Sequence, residues 1–416
     1  MISNRRDFLS ACFDKAIEAV QPSSCIAKFI PDPPRGRTVV IGAGKASAAM
    51  AKSLEKYFKG PLTGTVVTRY GYNVQCEFIN VIQASHPIPD ETGVRAAKII
   101  LEEVQDLTED DLVICLISGG GSSLLTLPAS VLTIIEKQLI NKKLLLCGAT
   151  VSEINTVRKH ISRIKGGQLA LACLPAPVLT LAISDVVGDD PSVIASGPTV
   201  PDRSTCDQAL KILEKYEITE PKSILKYLRL KSKVEPKLAP KALNKLRFEM
   251  IANSRMALEA SANFAKKSGI TPIILDEGLQ GEAKKMGYDL ADEVQKYINA
   301  KPCLLLSGGE LTVNVTGTGK GGPNMEFLLA LALGLNGRSD VSAVACDTDG
   351  IDGFSEYAGA FICPETLVSA QKVGLNPDFM LANNDSYNFF KELDSLVLTG
   401  PTHTNVNDFR AILLCD

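Results

Sequence analysis

The chain has 416 residues, 45% hydrophobic and 22% charged, with a formal net charge of −3. That balance lacks the basic excess that nucleic acid or an anionic membrane surface would favour, and no apolar run approaches the roughly 20 residues that span a bilayer. The eleven cysteines are scattered and show no CxxC or Cys/His zinc spacing, so they read as buried free thiols of a reducing compartment, with a cytoplasmic address expected.

The N-terminal stretch MISNRRDFLSACFDKAIEAV interrupts its apolar residues with charges at helical spacing. It predicts an amphipathic helix of the mature protein rather than a signal peptide. TVVIGAGKASAAMAKSL (38–54) then reads as strand, glycine turn and helix, an arrangement that presents a helix N-terminus to phosphate. Its Gly42-Ala43-Gly44-Lys45-Ala46-Ser47 resembles a dinucleotide fingerprint, but Ser47 stands in place of the third glycine. The next strand, in TGTVVTRYG (63–71), ends in Arg69 where a ribose-binding acid would be expected. Walker A spacing is also absent, so a tight turn with an exposed lysine and an anion loop both stay open.

DLVICLISGGGSS (111–123) follows a helix-like DETGVRAAKIILEEVQDL and ends in Ser118, Gly119, Gly120, Gly121, Ser122 and Ser123. Consecutive glycines there expose backbone N–H groups, and the serines suit a helix cap, which together predict an anion nest. A serine nucleophile fits poorly, because G-x-S-x-G is missing and His86, His160 and His403 lack a suggestive context. NTVRKHISRIKGGQLA (155–170) supplies Asn155, Arg158, His160, Arg163 and Lys165, and PVLTLAISDVVGDD (177–190) delivers Ser184, Asp185, Asp189 and Asp190. Cations of this kind neutralise phosphate oxygens, while the carboxylates suit Mg²⁺ or a hydroxyl proton.

Lysine and proline dominate 205–250, which predicts a helical connection and a boundary near 240, dividing the chain into 1–240 and 241–416. Beyond it, TPIILDEG (271–278) and PCLLLSGGE (302–310) predict strands, the second turning into a further nest at Gly309 with Glu310 as an added acid. GTGKGGPNMEF (317–327) carries Lys320, Asn324 and Glu326, and VSAVACDTDG (341–350) begins a cluster of Asp347, Asp349 and Asp352. Such oxygen ligands suit a hard cation, although the EF-hand pattern is missing. DSLVLTGPT (394–402) and GPTHTNVND (400–408) close the series. Strands alternating with helices imply α/β sheets covered on both faces, with ligands at the carboxyl ends of the strands.

The ordered set GAGKAS, SGGGSSL, NTVRKHIS-RIKGGQLA, SDVVGDDPSVIASGPT, SGGELTV, GKGGPNMEF, DTDGIDG and GPTHTNVND resembles the two-domain glycerate 2-kinases, the MOFRL family, from about residue 7 to residue 412. The resemblance implies a Rossmann-like α/β/α N-terminal domain, a smaller α/β MOFRL domain and an active site in the cleft between them. It further implies transfer of phosphate from ATP to the 2-hydroxyl of D-glycerate with Mg²⁺. Partners would be these small molecules, with no nucleic acid and no membrane; a homodimer is left open.

Lys45 matches the family's cleft lysine. Pro323 stands where the family's loop carries an arginine, so Lys320, Arg158 or Lys165 would take over that charge. Lys45, Asp189, Arg158 and Lys320 are thus expected in catalysis. Gly44, the 118–123 loop, Asn155, Lys165, Asp185, Gly309, Glu310, Asn324 and Glu326 are expected to bind substrate or ATP. Asp189, Asp347 and Asp349 would hold the metal, and Asp189, with Asp185 as alternative, would accept the hydroxyl proton. An NAD(P)H-dependent hydroxypyruvate reductase is the alternative, since family members have often carried that label. A non-catalytic ligand-binding protein is a third class.

Overall fold

The computed structural model describes residues 4–233 and 244–416; the boundary expected near 240 lies outside the described residues. Chain contacts divide the protein into two compact units, one of Cys25–Ile251 and one joining the chain up to Ser24 with Ala252–Asp416.

In the first unit β1 (Thr38–Ala43), β2 (Thr63–Arg69), β3 (Asn80–Ala84), β4 (Leu112–Ile117), β5 (Val178–Ile183) and β6 (Leu246–Ala252) form one sheet in the order β3-β2-β1-β4-β5-β6. The pairings of β1 with β2 and β4, β2 with β3, and β4 with β5 are parallel. Every residue of β1 and β5 is buried, which is why both read as continuous apolar runs without alternation. This is the order of doubly wound sheets, in which the connections reverse direction between β1 and β4 and ligands collect at that switch point. Helix starts follow local chemistry: Asp90 caps Glu91–Glu103, while Thr133 and Thr150 close capping boxes with Glu136 and Glu153. The lysine-rich segment forms the helices Cys206–Lys215 and Lys222–Lys231, but β6 then completes the sheet where a connection was expected.

The second unit holds β7 (Thr271–Glu282), β8 (Cys303–Thr312), β9 (Val341–Asp347), β10 (Gly359–Ile362), β11 (Leu396–Val397) and β12 (Asp408–Leu414), ordered β11-β10-β9-β12-β8-β7. Only β7 and β8 run parallel among these pairs. Helix Pro323–Leu335, apolar on nearly every side, is buried in its core. The N-terminal helix, Arg5–Val20, is capped by Asn4 and belongs to this unit although it was expected within 1–240. Its buried rings decide the matter: Phe8 stacks on Phe264 at 5.7 Å and Phe13 lies 5.6 Å from Phe409. Among the described residues no helix is long and apolar enough to cross a membrane.

Candidate active site

The loops after β1 and β4 are tied together at the switch point. Lys45 N donates to Gly119 O at 2.8 Å, Ser118 N to Ala43 O at 3.2 Å, and Ala46 N to the buried Ser118 Oγ at 3.0 Å. Gly44 makes this approach feasible, since a Cβ there would lie 2.0 Å from Ser118 Oγ. Ser47, in the place of the third fingerprint glycine, is fully buried and donates its hydroxyl to the Gly44 and Val67 carbonyls. It stitches the turn to β2 instead of facing a ligand.

Gly120 adopts φ +80°, and a Cβ on it would meet His86 Cδ2 at 2.9 Å and Lys45 Cγ at 3.3 Å. The bare glycine therefore lets the Lys45 stem and the His86 ring converge on the nest. Gly119 and Gly120 donate their backbone N–H groups to no protein acceptor among the described residues. His86 was missed in the sequence because β3, two residues before it, lacks a strong apolar pattern; a histidine just beyond a parallel strand's carboxyl end was the available signal.

Behind this nest a polar line crosses to the next loop. The Ser122 and Ser196 hydroxyls lie 2.7 Å apart, and Ser196 Oγ donates to Asn155 Oδ1 at 3.1 Å. Ser196 sits in the left-handed region at φ +62° beside Ala195 at +51°, a strained pair. Lys165, which sequence placed among ligand contacts, is 1% exposed and donates to the carbonyls of Ser122 (2.7 Å), Leu125 (3.3 Å) and Ala195 (3.4 Å). It clamps the glycine loop to the strained one. Burial, and then the charges of Lys137 and Arg158, hold its pKa well below the usual lysine value. Ser123 donates its hydroxyl to Gly120 O at 3.1 Å and does not cap the helix start, and Arg158 Nε donates to Asn141 Oδ1 at 3.0 Å. Asp185 and Asp189 lie partly exposed beyond β5, Asp189 with φ +53°.

In the second unit the expected SGGE nest is absent. Gly309 and Glu310 lie inside β8, paired with Leu279 and Gln280 of β7. The glycine serves the sheet, because a Cβ on Gly309 would come within 2.3 Å of the Leu279 backbone. Glu310 is exposed at that position, and Lys320 is exposed with its N–H held by Asp385. Pro323 opens helix Pro323–Leu335, whose Asn324 and Met325 N–H groups donate to the Asp352 carboxylate. That helix N-terminus is thus filled by the protein's own acid.

Asn324 Nδ2 also reaches Asp408 at 2.7 Å, and Asp408 pairs with the buried Arg410. Burial raises the Asp352 pKa to about 7 against the pull of the two N–H groups. Glu326, likewise raised by burial, accepts from Asn384 at 2.9 Å. Asp347 and Asp349 fold their own loop, each accepting the N–H two residues on at 2.9 Å. No group of three His, Cys, Asp or Glu side chains among the described residues is arranged to hold a metal.

The first unit is therefore a doubly wound α/β domain with a glycine loop, a lysine and a histidine at its switch point. Residues 8–229 match a domain of unknown function (DUF4147) and residues 303–408 match the MOFRL family. A "D-glycerate 2-kinase" from Thermotoga maritima is 38% identical over 95% of this chain and 94% of its own. A crystal structure of glycerate kinase from the same organism superposes with a TM-score of 0.87 at 36% identity, covering 98% and 99% of the two chains. An Agrobacterium vitis protein named "Putative hydroxypyruvate reductase" is 47% identical over 98% of this chain and 94% of its own. The chain belongs to the MOFRL family of glycerate kinase-like proteins.

Proposed function

We propose that the protein is a glycerate 2-kinase, which transfers the γ-phosphoryl group of ATP to the 2-hydroxyl of D-glycerate. The observation that carries this reading is the convergence of Lys45, His86 and the open Gly119 and Gly120 N–H groups at the β1/β4 switch point. Phosphoryl transfer asks the protein for positioning and charge neutralisation more than for covalent chemistry. The Lys45 ammonium stabilises charge on the transferring group, while the nest amides hold phosphate oxygens. The 2-hydroxyl oxygen attacks the γ-phosphorus, the bridge to the β-phosphate breaks, and ADP departs with the bridging oxygen. The hydroxyl proton passes to Asp189, with Asp185 as the alternative acceptor.

Mg²⁺ bound with nucleotide phosphates needs only one or two protein carboxylates, so the lack of a three-acid cluster is compatible with it. Asp347 and Asp349, or Asp189, would hold it, and it would supply further neutralisation of phosphate charge. Lys320 is the candidate for the charge that Pro323 removes. Lys45→Ala should lower kcat by about 10²-fold or more with the fold intact; near-parental turnover in the folded variant would sink the assignment.

The names carried by the Agrobacterium relatives favour a second reading, a hydroxypyruvate reductase. Against it, β2 ends in Arg69 where an acid would bind the ribose. A coupled assay offering ATP or NAD(P)H against glycerate and hydroxypyruvate separates the two. Formation of ADP and 2-phosphoglycerate is expected, and nicotinamide oxidation without ADP would overturn the kinase.

A further inference from the structure

Helices Ile134–Leu146 and Val151–His160 pack through apolar residues such as Ile140, Leu144, Ile154 and Val157, yet polar groups interrupt the contact. Lys137 is 2% exposed and its Nζ has no hydrogen-bond partner among the described residues. Asn141 follows one turn later on the same helix face and accepts from Arg158 Nε across the gap. The remaining Arg158 guanidinium nitrogens and the amide nitrogen of Asn155, one turn away, donate to no protein group among the described residues.

A buried cation without a partner is costly, and the one neighbouring charge that acts on Lys137 is the like charge of Arg158. The charges acting on Lys137 and its neighbour Lys165 are cations. The nearby acids are committed elsewhere: Glu136 to Thr133 and Ser223, and Glu153 to Thr150, Lys215 and Tyr216. Burial, and then Arg158, lower the Lys137 pKa to about 7. Such a set of donors suits an anion between them.

We propose that Lys137, Arg158 and Asn155 form the subsite that takes the carboxylate of a small hydroxy acid. The proposal rests on the kinase reading for the identity of that acid, D-glycerate. Placement supports a substrate group over a nucleotide phosphate. Asn155 is joined through Ser196 to Ser122 of the glycine loop, so the subsite lies along one polar line from the nest. The nest itself offers the main-chain donors suited to phosphate. Arg158 and Asn141 are partly exposed and provide the open side.

The test titrates the full-length protein by calorimetry with D-glycerate, L-lactate and inorganic phosphate, without ATP, in buffers of different ionisation enthalpy. Carboxylates should bind at pH 8 with uptake of close to one proton, because an arriving anion restores the Lys137 charge. Lys137→Met should abolish that uptake and raise KM for glycerate about 100-fold while leaving KM for ATP within twofold. Arg158→Gln should weaken carboxylate binding about tenfold or more, a second probe should Lys137→Met fold poorly. Unchanged glycerate binding and proton uptake in these variants, or phosphate binding more tightly than carboxylate through Lys137, would overturn the subsite. If the parent binds carboxylates through Lys137 yet transfers no phosphoryl group, the kinase reading fails and the subsite stands. A working kinase indifferent to Lys137→Met gives the converse.

Discussion

Replacing Lys165 by methionine tests whether the glycine loop is held by a buried lysine amine. The substitution keeps most of the apolar stem and removes donors to the carbonyls of Ser122, Leu125 and Ala195 at 2.7, 3.3 and 3.4 Å. Each orphaned buried carbonyl costs about 1–3 kcal/mol. Removing the buried polar amine itself returns several kcal/mol of that. A net loss of about 2 kcal/mol follows, and Lys165→Ala should lose roughly 2 kcal/mol more through three deleted methylenes. For a unit of this size the methionine variant should melt about 4–8 °C lower. The chain contains no tryptophan, so differential scanning calorimetry is the suitable assay. Released from its clamp, the nest should also bind ATP about tenfold more weakly. A methionine variant within 1 °C of the parent and with unchanged kinetics would refute the clamp. Lost activity at full stability would instead make Lys165 a direct ligand contact.

Gly120→Ala forces a side chain at φ +80° against the His86 ring and the Lys45 stem, so turnover should fall about tenfold or more for a stability loss of about 1–2 kcal/mol, read from kcat and the melting curve. Asp408→Asn strips the buried Arg410 of its carboxylate and should destabilise by about 3–5 kcal/mol, with Asp408→Asn combined with Arg410→Met recovering part of the loss. Lys137 has a folded pKa of about 7, far below its unfolded value of about 10.4. The unfolded chain therefore binds the extra proton between those values, and ligand-free stability should rise with pH from about 7 to 10, by up to about 1.4 kcal/mol per pH unit. Lys137→Met should be more stable than the parent at pH 7 and lack that slope in denaturation curves.

Most of the α/β class was legible because β1, β4, β5, β8 and β9 are short apolar runs closed by glycine or acid, the mark of strands buried on both faces. The glycine nest was legible for the same local reason: three glycines concede backbone entropy that only a special conformation justifies. Other features depended on partners distant in the chain. β3 and β6 carry half-exposed patterns and become strands only by joining the edges of an existing sheet. Gly309 looks like a turn residue in sequence, and only the β7 backbone pressed against it makes it part of a strand.

Sequence also read every basic residue of 155–170 as one kind of signal. The fold separated them by what each can reach: Lys165 meets carbonyls, while Arg158 faces a lysine from another helix. Local residues and spacing thus determined the strands, the turn chemistry and the family resemblance, because those follow from backbone geometry a few residues long. Tertiary structure decided that the His86 ring and the Lys45 stem both approach Gly120, and that Lys137 lies buried with no hydrogen-bond partner among the described residues. Burial and distance are set by segments that are remote in sequence, and those two quantities fix what a charge can do.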